Sequence, residues 1–274
     1  MKRVRKKQEP KLYLSNSTLS NSQPYPFFLS SPLHTTKAII LRAVKYGETS
    51  LIVTSYTELF GLQSYMVQGV RITSKKGNAK ANYFQPGAIL ELVVYHNELK
   101  QLQRIKEFRW SYLYISVFSN VIKNCVLLYL VELLQKCIKQ PENNPDLFAF
   151  IEETFYQLDK ADETTTAGLT IYFALHLAAF FGFQISNEQQ LPVLDLQDGK
   201  FTDTYPQHVY YIDGKIAELI YELLNVMQPS ELQEVPMNHL QRRSVLEAME
   251  TFYALHLPEF GKMKTLHVLK EVLA

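Results

Sequence analysis

The chain is poor in cysteine, in tryptophan and in net charge, with two Cys, one Trp and a formal charge of +1 over 274 residues. Cys125 and Cys137 stand alone in an apolar, helix-like stretch. Two thiols exclude a disulfide framework and cannot close a four-ligand thiolate site. Long apolar runs are missing as well. No stretch reaches the roughly 18 uncharged apolar residues of a membrane span, so no membrane is expected. The basic start MKRVRKKQEP is not followed by the apolar run or cleavage site of a secretory signal. A reducing cytoplasm fits these absences.

Catalytic signatures are lacking too. The sequence holds no H-E-x-x-H, G-x-S-x-G or G-x-x-x-x-G-K-[ST]. His176, His256 and His267 lie on apolar helical patterns and read as core or surface histidines. Glu152-Glu153 and Asp162-Glu163 read as solvated acids at helix surfaces and ends. Neither cysteine has an evident base beside it. The expectation is a protein that is not an enzyme, with no catalytic residue and no cofactor.

What is present is a charge asymmetry. Residues 1–33 carry +5, residues 34–109 carry +6 and residues 110–274 carry −10. A basic segment next to an acidic one points to nucleic acid or another acidic surface as the partner of the basic part. Hydrophobic residues make up 47 %, enough for a sizeable core.

Periodicity divides the chain at the same places. Residues 1–33, rich in Ser, Asn and Pro after the basic start, show no period and read as a disordered extension. Residues 34–109 hold five strand-length runs: Lys37–Val44, Leu51–Thr57, Leu62–Val70, Ala88–Tyr95 and Leu99–Phe108. Turn residues separate them, Gly47, Gly61, Gly69 and Gly87 among them, with His96-Asn97-Glu98 as a further break. Five strands in this length suit a closed OB-type barrel. Residues 110–274 turn helical. Helices are predicted over Val121–Lys139, Pro145–Leu158 and Thr165–Phe181, then near 214–228, 237–257 and 261–273. On the first, Val121, Leu128, Val131, Leu134 and Ile138 are spaced for one buried face. Asn144 and Gly182 are the expected caps. Residues 183–213 form an irregular insertion with a small hairpin turning at Asp198-Gly199. The fold class is thus α+β, a five-stranded OB-fold barrel followed by an all-α domain.

The barrel segment carries the candidate DNA contacts. Lys37, Arg42 and Lys45 fall on or beside the first strand, Arg71, Lys75, Lys76 and Lys80 around one acid-free loop, and Lys100 and Arg104 along the fifth strand. Such cations neutralise phosphates and make binding salt-dependent. Most of the aromatics here should fill the barrel, but Tyr83 and Phe84 at a strand edge are placed to stack a base. In the helical part, Lys123, Lys136, Lys139, Arg242 and Arg243 are candidates for holding an acidic partner segment. A protein-interaction scaffold, or an RNA-binding OB protein, would also fit these residues.

The segment AIILRAVKYGETSLIVTSYTELFGLQSYMVQGVR resembles the start of the RecO family of bacterial recombination mediators. Leu41-Arg42, Tyr46-Gly47-Glu48, Thr57-Glu58, Gly61 and Gly69-Val70-Arg71 carry the likeness. Phe84-Gln85-Pro86 and Leu90-Glu91-Leu92 continue it, and Phe180-Phe181-Gly182-Phe183 and Arg243-Ser244-Val245-Leu246 match more loosely. The resemblance implies binding of single- and double-stranded DNA and annealing of complementary strands. It implies work with RecR to load RecA onto strands covered by the single-stranded DNA-binding protein SSB, whose acidic C-terminal tail is also bound. It implies a monomer in a bacterial cytoplasm, at the nucleoid during repair. Many members carry a four-cysteine zinc motif after the Gly182-Phe183 position; here QISNEQQLPVLDLQDGKFTD follows without a Cys, so no metal is expected. Residues 1–33 have no counterpart in the resemblance, which points either to an unusual tail or to a start assigned too far upstream.

Overall fold

A computed structural model describes residues 32–71 and 80–272. The reading of the N-terminal tail, and the positions Lys75 and Lys76, lie outside the described residues.

Five strands close into a barrel in the order β1-β2-β3-β5-β4. They are β1 (Leu33–Tyr46), β2 (Ser50–Thr57), β3 (Gly61–Val67), β4 (Ile89–Tyr95) and β5 (Leu102–Tyr112). All neighbours are antiparallel except β3 and β5, whose short parallel ladder from Ser64↔Leu102 to Met66↔Arg104 seals the ring. Alternation along the strands fills the interior with Ala38, Ile40, Val53, Tyr65, Leu90, Leu92 and Val94, all fully buried. A 3-10 turn, Lys80–Phe84, adds Phe84 to that core.

Alternation breaks once in β1. A bulge between Ile40 and Arg42 inserts Leu41. Ile40 and Ala43 then both pack on the barrel core, while Leu41 and Arg42 both leave it. An extra residue in one strand shifts the parity of everything after it. Leu41 goes to the helices and Arg42 to solvent.

Six helices follow: α1 (Val121–Cys137), α2 (Pro145–Lys160), α3 (Glu163–Leu177), α4 (Gly214–Leu224), α5 (His239–His256) and α6 (Lys264–Val272). Asn144 caps α2 by accepting from the Leu147 N–H, with Pro145 at the first turn. Gly182, at φ 79°, ends the 3-10 extension of α3. The Glu132 carboxylate of α1 accepts from the Lys264 and Thr265 N–H groups and so caps α6 from a neighbouring helix. The single buried face expected of α1 is not what forms. Val121 is 70 % exposed and Leu128 37 %, whereas Val126, Leu127, Leu130 and Leu134 are fully buried. Helix α1 packs against α2, α3, α6 and β1 together, so most of its circumference is covered. Residues Glu163–Phe181 are long and apolar enough to cross a membrane by length and composition, but 72 % of that run is buried inside the protein, as in a core helix.

Barrel and helices form one compact unit. The change from strand to helix comes later than residue 110, because Trp110 pairs with Leu90 and Tyr112 with Ile89 inside the sheet. Ile39, Leu41, Tyr56 and Ile89 point out of the barrel into the helical core. Full burial of such side chains contributes roughly 1.5–3 kcal/mol each. Two glycines permit the approach. A Cβ on Gly61 would collide with the Glu142 backbone, and one on Gly87 with the Leu127 side chain; both have positive φ. The joint is locked by Asp159 at the end of α2. Its carboxylate accepts from the N–H groups of Ile115, Ser116 and Val117 and from the Tyr112 hydroxyl. Burial alone would raise the pKa of this acid, but these donors outweigh it and hold the carboxyl below its usual range.

The insertion at 183–213 is a three-stranded sheet, β7-β6-β8. Strands β6 (Val193–Asp195) and β7 (Lys200–Thr202) are the expected hairpin; β8 (Tyr211–Asp213) is a third strand on its other edge.

Candidate nucleic-acid interface

Strand register defines an outward face on the barrel. One row runs Val44, Ile52, Met66, Arg104 across β1, β2, β3 and β5, and the next runs Arg42, Thr54, Ser64, Leu102. The intervening Val53, Tyr65 and Gln103 are buried inside. Strands lie about 4.8 Å apart, so the face is about 14 Å wide from β1 to β5. Its edge strands expose Val44 at 43 % and Leu102 at 36 %, and half-buried Ile52, Met66, Thr54 and Ser64 lie between them. Arg42 and Arg104 stand at its two edges, both exposed. Neither is in an ion pair among the described residues. This arrangement offers exposed apolar side chains to bases and guanidinium groups to phosphates.

More cations gather at the end of the barrel beside the β1–β2 turn. Lys45 and Lys80 are exposed there. Ala81 N–H donates to Val70 O, which sets the Lys80 backbone near that of Arg71. Arg71 is partly committed: its backbone N–H donates to Thr49 O and its Nη1 to Gly47 O at 2.9 Å, bracing the turn. At the opposite end, Lys100 is exposed on the β4–β5 loop and lines a cleft that Lys139 also borders.

Three of the expected barrel contacts are corrected. Lys37 is bound to Glu152 of α2 at 2.9 Å, so it pins the barrel to the helices rather than facing phosphate. Phe84 is 1 % exposed and fills the core, out of reach of any base. Tyr83 is half-buried, stacks on Trp110 with ring centroids 4.9 Å apart, meets Phe108 edge-on and packs on the barrel core, away from the outward face of β1-β2-β3-β5. Further along β5 and β4, Arg109 is paired with Glu91.

Residues 31–114 match the family described as Recombination protein O N terminal, and residues 119–190 match Recombination protein O C terminal. A DNA repair protein RecO of Christiangramia forsetii is 37 % identical over 238 residues, covering 86 % of this chain and 98 % of that protein. The Bacteroides fragilis protein of the same name is 32 % identical over 243 residues, covering 88 % of this chain and 99 % of its own length. That of Flavobacterium psychrophilum is 32 % identical over 244 residues, with 86 % of this chain and 98 % of the relative covered. The chain belongs to the RecO family of DNA repair proteins.

Within this RecO-family chain, the helical cations read from the sequence are mostly spent on the protein itself. Lys123 is 9 % exposed, and its ammonium donates to Asp159 O and Ser116 Oγ. Lys136 donates to the Phe260 carbonyl and lies 5.0 Å from the centroid of the same ring. Arg242 donates to Met237 O. Arg243 is exposed and pairs with Glu247 one turn on. Lys139 is exposed and donates to Gln135 O at the end of α1. Nor do the residues at 183–213 fit zinc. Asp195 accepts from the Gln197 and Asp198 N–H groups and lies 3.3 Å from His208 Nε2. No group of three His, Cys, Asp or Glu among the described residues is placed to hold a metal ion.

Two features of the site were not read from the sequence. The bulge that turns Arg42 outward has no signal in a single apolar run, where strict alternation would have placed Arg42 inside with Ile40. His96 stood in the sequence only as part of a turn, and it stacks on Phe60.

Proposed function

We propose that this RecO-family protein binds single- and double-stranded DNA through its barrel, anneals complementary strands, and with RecR helps load RecA onto SSB-coated single strands. It does this in the cytoplasm, as a monomer, without catalysis or cofactor. The outward face of β1-β2-β3-β5, where exposed Val44 and Leu102 stand beside Arg42 and Arg104 and neither arginine is in an ion pair among the described residues, carries this reading. Lys45, Lys80, Lys100 and, partly, Arg71 extend the cationic track toward both ends. Lys75 and Lys76 belong to the same proposal by sequence alone. The acidic helical domain supports a division of labour, since its charge repels DNA toward the barrel.

For the SSB tail, the support is a groove of about 330 Å³ between α5 and α6. Lys262 stands beside Met263 and Leu266 there, with His267, with Arg243 and Lys270, both bound to Glu247, and with Glu250 and Glu271 also on its walls. Cations around an apolar floor suit an acidic peptide with an apolar end.

Binding of labelled single strands across a salt series tests the DNA reading. Affinity should fall with a log–log slope of about −0.7 per phosphate neutralised. Absence of binding at low salt, or a flat salt profile, would leave the barrel as a protein-interaction scaffold. Tighter binding to RNA than to DNA of the same sequence would move the proposal to RNA.

A further inference from the structure

The outward face of the barrel runs at one end into a cleft of about 740 Å³ between the barrel and the α1–α2 connection. Thr54 and Ser64 belong to both, so the two surfaces are continuous. Phe60, from the β2–β3 turn, and His96, from the β4–β5 loop, line it as a stacked pair with ring centroids 3.8 Å apart and planes within 13°. His34 meets Phe60 edge-on from the start of β1. The inner side of Phe60 rests on the barrel core. Two cations of different origin stand on the walls, Lys100 from the barrel loop and Lys139 from the end of α1. Lys139 uses one donor on Gln135 O, and an ammonium has three. Among the described residues, Glu98 is the one acid on the walls. The close contact of Gly61 with the Glu142 backbone holds the two walls together.

We propose that this cleft is a composite nucleobase pocket: it takes one or two unstacked bases of a single strand against the Phe60–His96 pair, while Lys100 and Lys139 hold the flanking phosphates. The inference rests on the DNA reading above and extends it to a base-contacting site that needs both parts of the chain. The volume lies in the range of ligand clefts, roughly 300–1,000 Å³. Burial, chiefly, together with the neighbouring His34 keeps the His96 pKa low, so the ring is neutral and planar stacking is not opposed by a charge to be desolvated. A paired duplex keeps its bases stacked inside, so a pocket of this kind favours single strands.

The test compares the wild-type protein with Phe60→Leu, His96→Gln and Lys139→Glu. The probes are a thymidine 20-mer, an abasic 20-mer of the same backbone, and a duplex of the same length. Base–aromatic stacking predicts that Phe60→Leu weakens binding of the thymidine strand about tenfold and leaves the abasic strand and the duplex unchanged. His96→Gln should act in the same direction. Lys139→Glu should weaken the thymidine and abasic strands together. A loss that is equal on all three probes, or no loss on the thymidine strand, overturns the pocket. A strand carrying 5-iododeoxyuridine, photocrosslinked to the unaltered protein, gives an independent readout. Crosslinks to peptides containing Phe60 or His96 support the proposal, and crosslinks confined to other peptides overturn it. Arg42→Glu with Arg104→Glu separates the two levels of inference. If this pair of reversals lowers affinity while Phe60→Leu does not, the outward face stands and the pocket falls. If the wild-type protein binds no single strand at low salt, both fall.

Discussion

The open face and ends of the barrel and the covered helices α1 and α5 treat several of their cations in opposite ways. On the barrel, Arg42, Lys45, Lys80, Lys100 and Arg104 are exposed and outside the ion pairs of the described residues. In the helical domain, Lys123, Lys136, Arg242 and Arg243 each donate to a carbonyl, a hydroxyl or a carboxylate of their own chain. The difference follows from layering. Among the described residues, the β1-β2-β3-β5 wall has a core on one side and exposed Arg42, Val44, Leu102 and Arg104 on the other, so a long side chain there reaches into solvent. Helices α1 and α5 are surrounded by other elements, and their lysines and arginines find helix ends and loops within reach. A free cation is therefore a property of the surface that carries it. Lys37 obeys the same rule from the barrel side: it sits where α2 covers β1, and it is paired.

The largest effect that would break this contrast is at the joint. Asp159→Ala strips the acceptor from three backbone N–H groups and a tyrosine hydroxyl, and removing partners of buried donors costs about 1–3 kcal/mol apiece. We expect about 3–5 kcal/mol less stability by urea unfolding, loosening the barrel from the helices. An unchanged midpoint would mean that the joint is held by apolar packing alone. Acid acts on the same group. The Asp159 pKa is depressed in the fold, as is that of Glu132, where burial opposes but the Thr265 and Lys264 donors prevail. A depressed carboxyl contributes stability that is fully present above its unfolded value, about pH 4, and is lost as pH falls through the folded value. Stability should therefore drop below about pH 4 in the wild type, and the drop should be shallower in Asp159→Asn.

A smaller effect sharpens the contrast from the barrel side. Arg42→Glu with Arg104→Glu should weaken single-strand binding about 10- to 100-fold and flatten the salt slope by roughly one to two. Thermal stability should stay within about 0.5 kcal/mol, as is usual for surface changes. Equal binding by the variant would remove the outward face as the DNA track.

The smallest effect is expected where cations are already spent. Lys37→Ala should cost up to about 1 kcal/mol, since its partner is shielded but the lysine itself is partly exposed. Its DNA affinity at fixed salt should equal that of the wild type. A loss of affinity as large as that of the arginine reversals would return Lys37 to the interface.

Much of the architecture was legible because it is local. Period two in β1–β5, turn glycines and the later helical period follow from backbone and side-chain geometry within a few residues. Asn144 and Gly182 work as caps for the same reason. The site was less legible. Phe84 and Arg42 look equally available in the sequence, yet one is in the core and the other at the edge of an open face. Lys123 looks like a surface lysine until Asp159, thirty-six positions away in sequence, is folded against it.

By itself the sequence determined the barrel-then-helix order, the basic and acidic halves and the membership of the RecO family, because these are carried by period, charge and motif. Tertiary structure decided which cations are free, where β1 bulges and how Phe60 and His96 come to stack. The physical reason is that the parity of a strand after a bulge, and the partner of a long charged side chain, depend on what is packed against them. Those neighbours, β4 and α2 against β1 or α6 against α1, come from distant parts of the chain.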